Sequence, residues 1–216
     1  MLDDLKALHA RDSQDLIDGA CKVPQPLVDE VCGRLGVDAG TMLGAVENVR
    51  AAAQQWLTTN PTAHNVAKQL ALEAVGKTVV VYAGPELGHA AYMWKLAFNR
   101  FARLPAWQVN YPTDVLDDLQ AWSGHSAPRP YVVYQLRSSH ESPVVANRFE
   151  VVNKALSGKR PHPHAIWAES ETVLEQLLWA RVFGNVVAAY CAVASGVDPS
   201  DTTTLSKVQT KFIYEA

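Results

Sequence analysis

The sequence is short of several features that usually mark a function. It has three cysteines in 216 residues, Cys21, Cys32 and Cys191, an odd number with no Cys-x-x-Cys pair. This pattern fits neither a disulfide framework nor a cysteine zinc site, and is that of reduced thiols in a cytoplasmic protein. There is no block of like charge. The 19 Lys and Arg against 22 Asp and Glu leave a formal charge of -3, which gives no footing for nucleic acid. Neither the dinucleotide nor the P-loop glycine pattern occurs, and no cofactor is implied. The opening MLDDLKALHARDSQDL is acidic and lacks an apolar core, unlike a signal peptide. The most apolar uncharged stretch, Val182 to Val197, is too short for a membrane span and contains Asn185. Internal repeats and low-complexity tracts are missing as well.

What remains is an ordinary globular composition, 48% hydrophobic and 19% charged. A chain of this length buries roughly 70% of its unfolded surface and folds without staples. The first third reads as helical. DSQDLIDGA has Asp12 or Ser13 as a cap, with Leu16 and Ile17 on an apolar side; PQPLVDEVCGRLGV and TMLGAVENVRAAAQQWLTT follow with apolar residues at helical spacing. NPTAHNVAKQLALEAVGK starts at an Asn-Pro and closes on Gly76. At Thr78 the period changes. TVVVYAG is a short, continuous, β-branched run followed by glycine, the pattern of a strand buried on both faces. PAWQVNYP, PYVVYQLR and PHAIWAE read as three further strands, alternating with helical stretches and ending in the long apolar ETVLEQLLWARVFGNVVAAYCAVASG.

Strands separated by helices of ten or more residues imply a parallel sheet with right-handed crossovers. The expected fold is a three-layer α/β/α sandwich with a parallel, flavodoxin-like sheet over residues 61–216, preceded by an N-terminal helical segment over 1–60. Ligands in such sheets sit at the carboxyl ends of the strands, which singles out the turns AGPELGH, NYPTDVLDD, LRSSHE and AESETV. Gly84 and Gly88 lie between a strand and a helix N-terminus, where backbone N–H groups favour an anion, with Pro85 as the first helical residue. Arg137, Ser138 and Ser139, beside His140 and Glu141, form a polar strand end able to grip a phosphate. His162 and His164 lie two apart, with His140 as a third candidate, but no further partner stands at a metal-ligand spacing, and no metal site is expected. The six tryptophans read as core and interface fillers.

Several motifs in one order now carry a resemblance. VVVYAG, YMWKLAFN, LPAW and YPTDVLDDLQAW, preceded by HNVAKQLALEAVGK and followed by VLEQLLWARVFGNVVAAYCAVASGVDP, resemble the C-terminal half of the bifunctional phosphoglucose/phosphomannose isomerases, of the sugar isomerase (SIS) fold. The resemblance covers about residues 60 to 212. It implies a sugar-phosphate ligand and a homodimer; the family's first SIS domain, which precedes this half, is expected to be missing, because none of its glycine- and serine-rich loops is visible ahead of Thr78. It also implies a glutamate base after a helix asparagine, a ring-opening histidine and a lysine facing the substrate. On the matching positions Asn99 is retained, but the glutamate is Arg100 and the next residue is Phe101. Near Pro112 the first glutamate becomes Thr113, the histidine becomes Leu116 and the last glutamate becomes Asp118; Trp122 is kept. The lysine position falls on Gln209, with Lys207 and Lys211 nearby.

An arginine, with a pKa above 12, cannot accept a proton near neutrality, and leucine cannot donate one. The expected function is therefore a degenerate isomerase-like domain holding a sugar phosphate or another small anionic metabolite through Lys95, Asn99, Arg100 and the strand-end residues. Two alternatives stand beside it. One is an active aldose–ketose isomerase in which Asp118, His140 or His89 has taken over proton transfer; the other is a purely structural dimerisation domain.

Overall fold

The computed structural model describes residues 10–21, 38–124, 130–201, 203, 204 and 206–208. The PQPLVDEVCGRLGV helix, Gln209 and Lys211 lie outside the described residues. Two helices open the described chain, α1 (Ala10–Cys21) and α2 (Ala39–Ala52), followed by α3 (Val66–Ala74). Then β1 (Thr78–Ala83), α4 (Gly88–Ala97), β2 (Ala106–Asn110), α5 (Val115–Ser123), β3 (Tyr131–Arg137), α6 (Pro143–Ala155), β4 (His164–Trp167) and α7 (Val173–Ala194) alternate.

All strand pairs are parallel, in the order β2-β1-β3-β4. The chain steps outward from β1 to β2, then crosses back over β1 to β3. Right-handed crossovers put helices from opposite directions of travel on opposite faces, so α4 lies on one face and α5 and α6 on the other. Side chains of β1 sort by pleat. Val79, Val81 and Ala83 join the core under α3, α4 and α7, while Val80 and Tyr82 join the core under α5 and α6. The expected doubly buried strand is thus observed.

The helix α7 organises the first face. Helices α1, α2, α3 and α4 all pack on it, and Ile17, Val49, Trp56 and Val187 share its core. By length and composition α7 could cross a membrane, but 67% of its most apolar window is buried inside the protein, the mark of a core helix. Trp94 of α4 sets its distance from α7. The indole Nε1 donates to Ala180 O at 2.7 Å, and a Cβ added to Gly184 would lie 2.3 Å from the ring. Only glycine admits that approach.

Three local expectations are corrected. Asp12 and Ser13 lie inside α1 instead of capping it. Pro85 does not begin α4, because residues 84–87 close a turn through Leu87 N to Gly84 O (3.2 Å) and the helix starts at Gly88. The helix that the resemblance implies at Asn99 changes to a π turn at Phe98–Ala102, ended by Arg103 in the left-handed region at φ 54°.

Candidate functional site

At the carboxyl end of β3 the polar residues are committed to one another. The Arg137 guanidinium makes a bidentate ion pair with Glu141, Nη2 to Oε1 at 2.5 Å and Nε to Oε2 at 3.1 Å, and both side chains are buried. Its flat faces lie 4.2 Å from the Phe149 ring centre and 4.7 Å from that of Trp167. Ser138 Oγ donates to Gln176 Oε1 (2.6 Å), while Gln176 Nε2 donates to Ser139 Oγ (2.7 Å) and Ser170 O (2.8 Å). Buried Gln176 thereby ties the loop after β3 to the loop after β4, where Ser170 is held at φ 122°. The His140 ring lies 2.8 Å from Glu171 O. Beside Gly84 stands the Glu86 carboxylate, with Oε2 buried and unpartnered and 3.0 Å from where a Gly84 Cβ would sit. An acidic side chain of the protein itself therefore occupies the turn that the sequence marked for an anion.

The second polar region lies toward the amino ends of the strands. The π turn swings Asn99, Arg100 and Phe101 onto a groove of about 1040 Å³, completed by Asp15 and Gly19 of α1, Arg181 and Asn185 of α7, and Asp201, Thr204 and Val208. Asn99 has a structural job: its Oδ1 accepts from Ala106 N (3.0 Å) and so joins the π turn to the start of β2. Among the described residues, no hydrogen bond or ion pair engages the guanidinium of Arg100 or Arg181. Arg100 is exposed and stands 5.6 Å from the Phe101 ring centre. Arg103 is held by Asp201, Nη2 to Oδ2 at 2.6 Å. Bonds from Thr203 and Arg103 hold the Asp201 carboxyl well below the usual carboxylate range. Two guanidiniums in one groove with no partner among the described residues attract phosphate or carboxylate.

The structure thus divides the expected ligand residues. Asn99 and Arg100 line the groove, Gly84, Gly88, Arg137, Ser138 and Ser139 lie at the other end of the sheet, and the Lys95 ammonium lies over Tyr92, outside the groove lining. Nor are the expected substitutes for acid–base work assembled. Asp118 accepts from Tyr82 Oη and from Trp122 Nε1 (2.8 Å) on the α5 face of the sheet, and burial pushes the Tyr82 phenol well up. His89 is exposed beside Tyr92, and Leu116 is exposed on α5. None of these lines the groove. His164 pairs in register with Tyr134, whereas His140 follows Arg137, the partner of Trp167, so the two histidines lie at opposite ends of β4. Among the described residues no cluster of metal-ligating side chains occurs. Half of the tryptophans are core: Trp56, Trp94 and Trp179 are buried, while Trp107 and Trp167 stand exposed on the outer strands.

Asp15, Arg181, Asn185 and Asp201 were missed in the sequence. One signal was available, since Arg181 and Asn185 are polar residues four apart in a mostly apolar helix and so share a face.

A parallel sheet in this order, covered by helices on both faces, is that of an α/β/α domain of the sugar-isomerase type, and solved structures agree. A glucose-6-phosphate isomerase-like protein from Thermus thermophilus superposes with a TM-score of 0.65 at 18% identity, covering 87% of this chain and 63% of its own. A hypothetical protein from the same organism gives 0.62 at 14% identity, covering 84% and 51%. The chain belongs to the bacterial phospho-glucose isomerase C-terminal SIS domain family, whose model matches residues 63–212. A curated relative, the bifunctional phosphoglucose/phosphomannose isomerase of Aquifex aeolicus (strain VF5), is 22% identical over 183 residues, 85% of this chain. The chain spans about half the length of that relative, 55%.

Proposed function

We propose that this protein is a phosphosugar-isomerase-like domain that binds a sugar phosphate, or a related anionic metabolite, in the groove of Arg100 and Arg181 without catalysing aldose–ketose isomerisation. One observation carries the reading. Arg100, on which the resemblance puts the family's glutamate base, lies in the groove beside Arg181, and neither guanidinium has a partner among the described residues. A guanidinium there cannot remove a carbon-bound proton but grips phosphate well. The relative's name, phosphoglucose/phosphomannose isomerase, gives the ligand class. Binding is tested by calorimetric titration with glucose 6-phosphate, mannose 6-phosphate and fructose 6-phosphate, and catalysis by a coupled isomerase assay on the same chain. Saturable binding without turnover is expected. Turnover at enzymatic rates would sink the degenerate reading, and absence of binding would leave the dimerisation role.

Asp15 favours the alternative of a relocated base, because it is a carboxylate lining the groove without an ion pair among the described residues. If turnover is observed, Asp15→Asn should abolish it and leave binding in place.

A further inference from the structure

The third arginine of the groove differs from the other two. Arg103 is already neutralised, by a carboxylate from the segment that follows α7. Its Nη2 donates to Asp201 Oδ2 at 2.6 Å and to Asp201 O at 3.2 Å. The other oxygen of the same carboxylate is also in use, accepting from Thr203 N at 2.9 Å and Thr203 Oγ1 at 2.5 Å. One side chain therefore caps the turn that begins at Thr203 and fastens that turn to the groove. The helical residues beyond it supply Thr204 and Val208 to the groove lining. The strap is thus part of the groove wall, and its anchor is an anion sitting on one of the three arginines among the groove's described lining residues.

The strength of the anchor decides what it can do. The Arg103 and Asp201 side chains are 49% and 38% exposed, so solvent screens the pair and it contributes little to stability. A buried pair such as Arg137 with Glu141 would be fixed, because breaking it strands a charge. The exposed pair can be exchanged. A phosphate dianion reaching Arg103 offers the same guanidinium charge-assisted bonds, with two negative charges instead of one.

Resting on the reading of the groove as an anion site, we infer that Asp201 is an internal competitor for it. The Asp201 carboxylate holds the strap against Arg103 in the empty protein, and a phosphorylated ligand displaces it and loosens the strap. The device favours ligands carrying a dianion, since a neutral or singly charged group gains nothing by replacing a carboxylate already in place.

The test compares wild type with Asp201→Asn by calorimetric titration with glucose 6-phosphate. Asparagine keeps an oxygen for the Thr203 cap and removes the charge, so the turn itself is retained. The variant is expected to bind about two- to fivefold more tightly, the share of affinity a screened ion pair can withhold. In wild type, hydrogen exchange at residues 203–208 should speed up when glucose 6-phosphate is added. Equal or weaker binding by the variant, or unchanged exchange in a wild-type protein that binds, overturns the competitor role and leaves the groove reading standing. If neither protein binds glucose 6-phosphate, the groove reading itself fails and takes this inference with it.

Discussion

The two ends of this sheet each carry arginine, and they treat it in opposite ways. At the carboxyl end Arg137 is buried, paired bidentately with Glu141 and stacked between Phe149 and Trp167. At the amino end Arg100 and Arg181 line an open groove with no partner among the described residues, and Arg103 has an exposed one. In many parallel α/β proteins the crevice at the carboxyl ends is where a ligand sits. Here Arg137, Ser138 and Ser139 are tied up in hydrogen bonds with Glu141 and Gln176, and the described arginines without a partner lie elsewhere. A cation's chemistry depends less on its residue type than on whether the fold has already supplied its anion.

That contrast can be broken most sharply at Arg137. Its replacement by alanine leaves the buried Glu141 carboxylate unpaired, and stability should fall by about 3–5 kcal/mol in urea titration. Affinity for glucose 6-phosphate, measured where the variant is still folded, should not change. A large loss of affinity there would move the ligand to the carboxyl end. The complementary substitutions, Arg100→Gln and Arg181→Gln, should reverse the pattern. Each removes a charge-assisted contact and is expected to weaken glucose 6-phosphate binding roughly tenfold to a hundredfold. Each should leave stability within about 0.5 kcal/mol of wild type, because neither side chain has a hydrogen-bond or ion-pair partner among the described residues.

The smallest effect is one of pH. The Asp201 carboxyl is held low, so its folded pKa lies below the unfolded one. The contribution of its anion is therefore present above the unfolded carboxylate range and is lost only as pH falls through the depressed value. Hydrogen-exchange protection at residues 203, 204 and 206–208 of the empty protein, taken relative to the intrinsic base-catalysed rate, should be flat from pH 8 down to about pH 5. Over the same interval the affinity for glucose 6-phosphate should fall modestly, because its phosphate takes up a proton near pH 6 while arginine does not titrate. A change of exchange in step with affinity would show that the strap itself titrates and would remove the distinction between the two.

Much of the fold could be read along the chain because its causes are local. The β-branched run at Thr78 and Gly76 at φ 71° each act within a few residues, whereas the helix start read at Asn60-Pro61 falls instead at Val66, where Asn65 is the cap and accepts from Lys68 N (3.2 Å). Pro85 misled because a proline suits a turn as well as a first helical position, and Gly84 closed the turn first. The π turn was hidden because its sequence, FNRFA, has no helix breaker; its place is set by the Asn99 bond to Ala106 and by the left-handed Arg103. The candidate site was half legible. Arg100 stood out by its resemblance to a family position, but the groove around it draws on α1, α7 and the segment after it, which only folding brings together.

By itself, then, the sequence determined the layers, the parallel sheet and the family, since periodicity and turn chemistry act at short range and a hydrophobic pattern permits few packings. Tertiary structure decided which arginines are free. Trp94 seated on Gly184 brings α4 against α7, and with it Arg100 and Arg181 into one groove, while Phe149, Trp167 and Glu141 close around Arg137. The availability of a charge depends on what comes within a few ångströms of it, and that is settled by contacts between residues far apart in the chain.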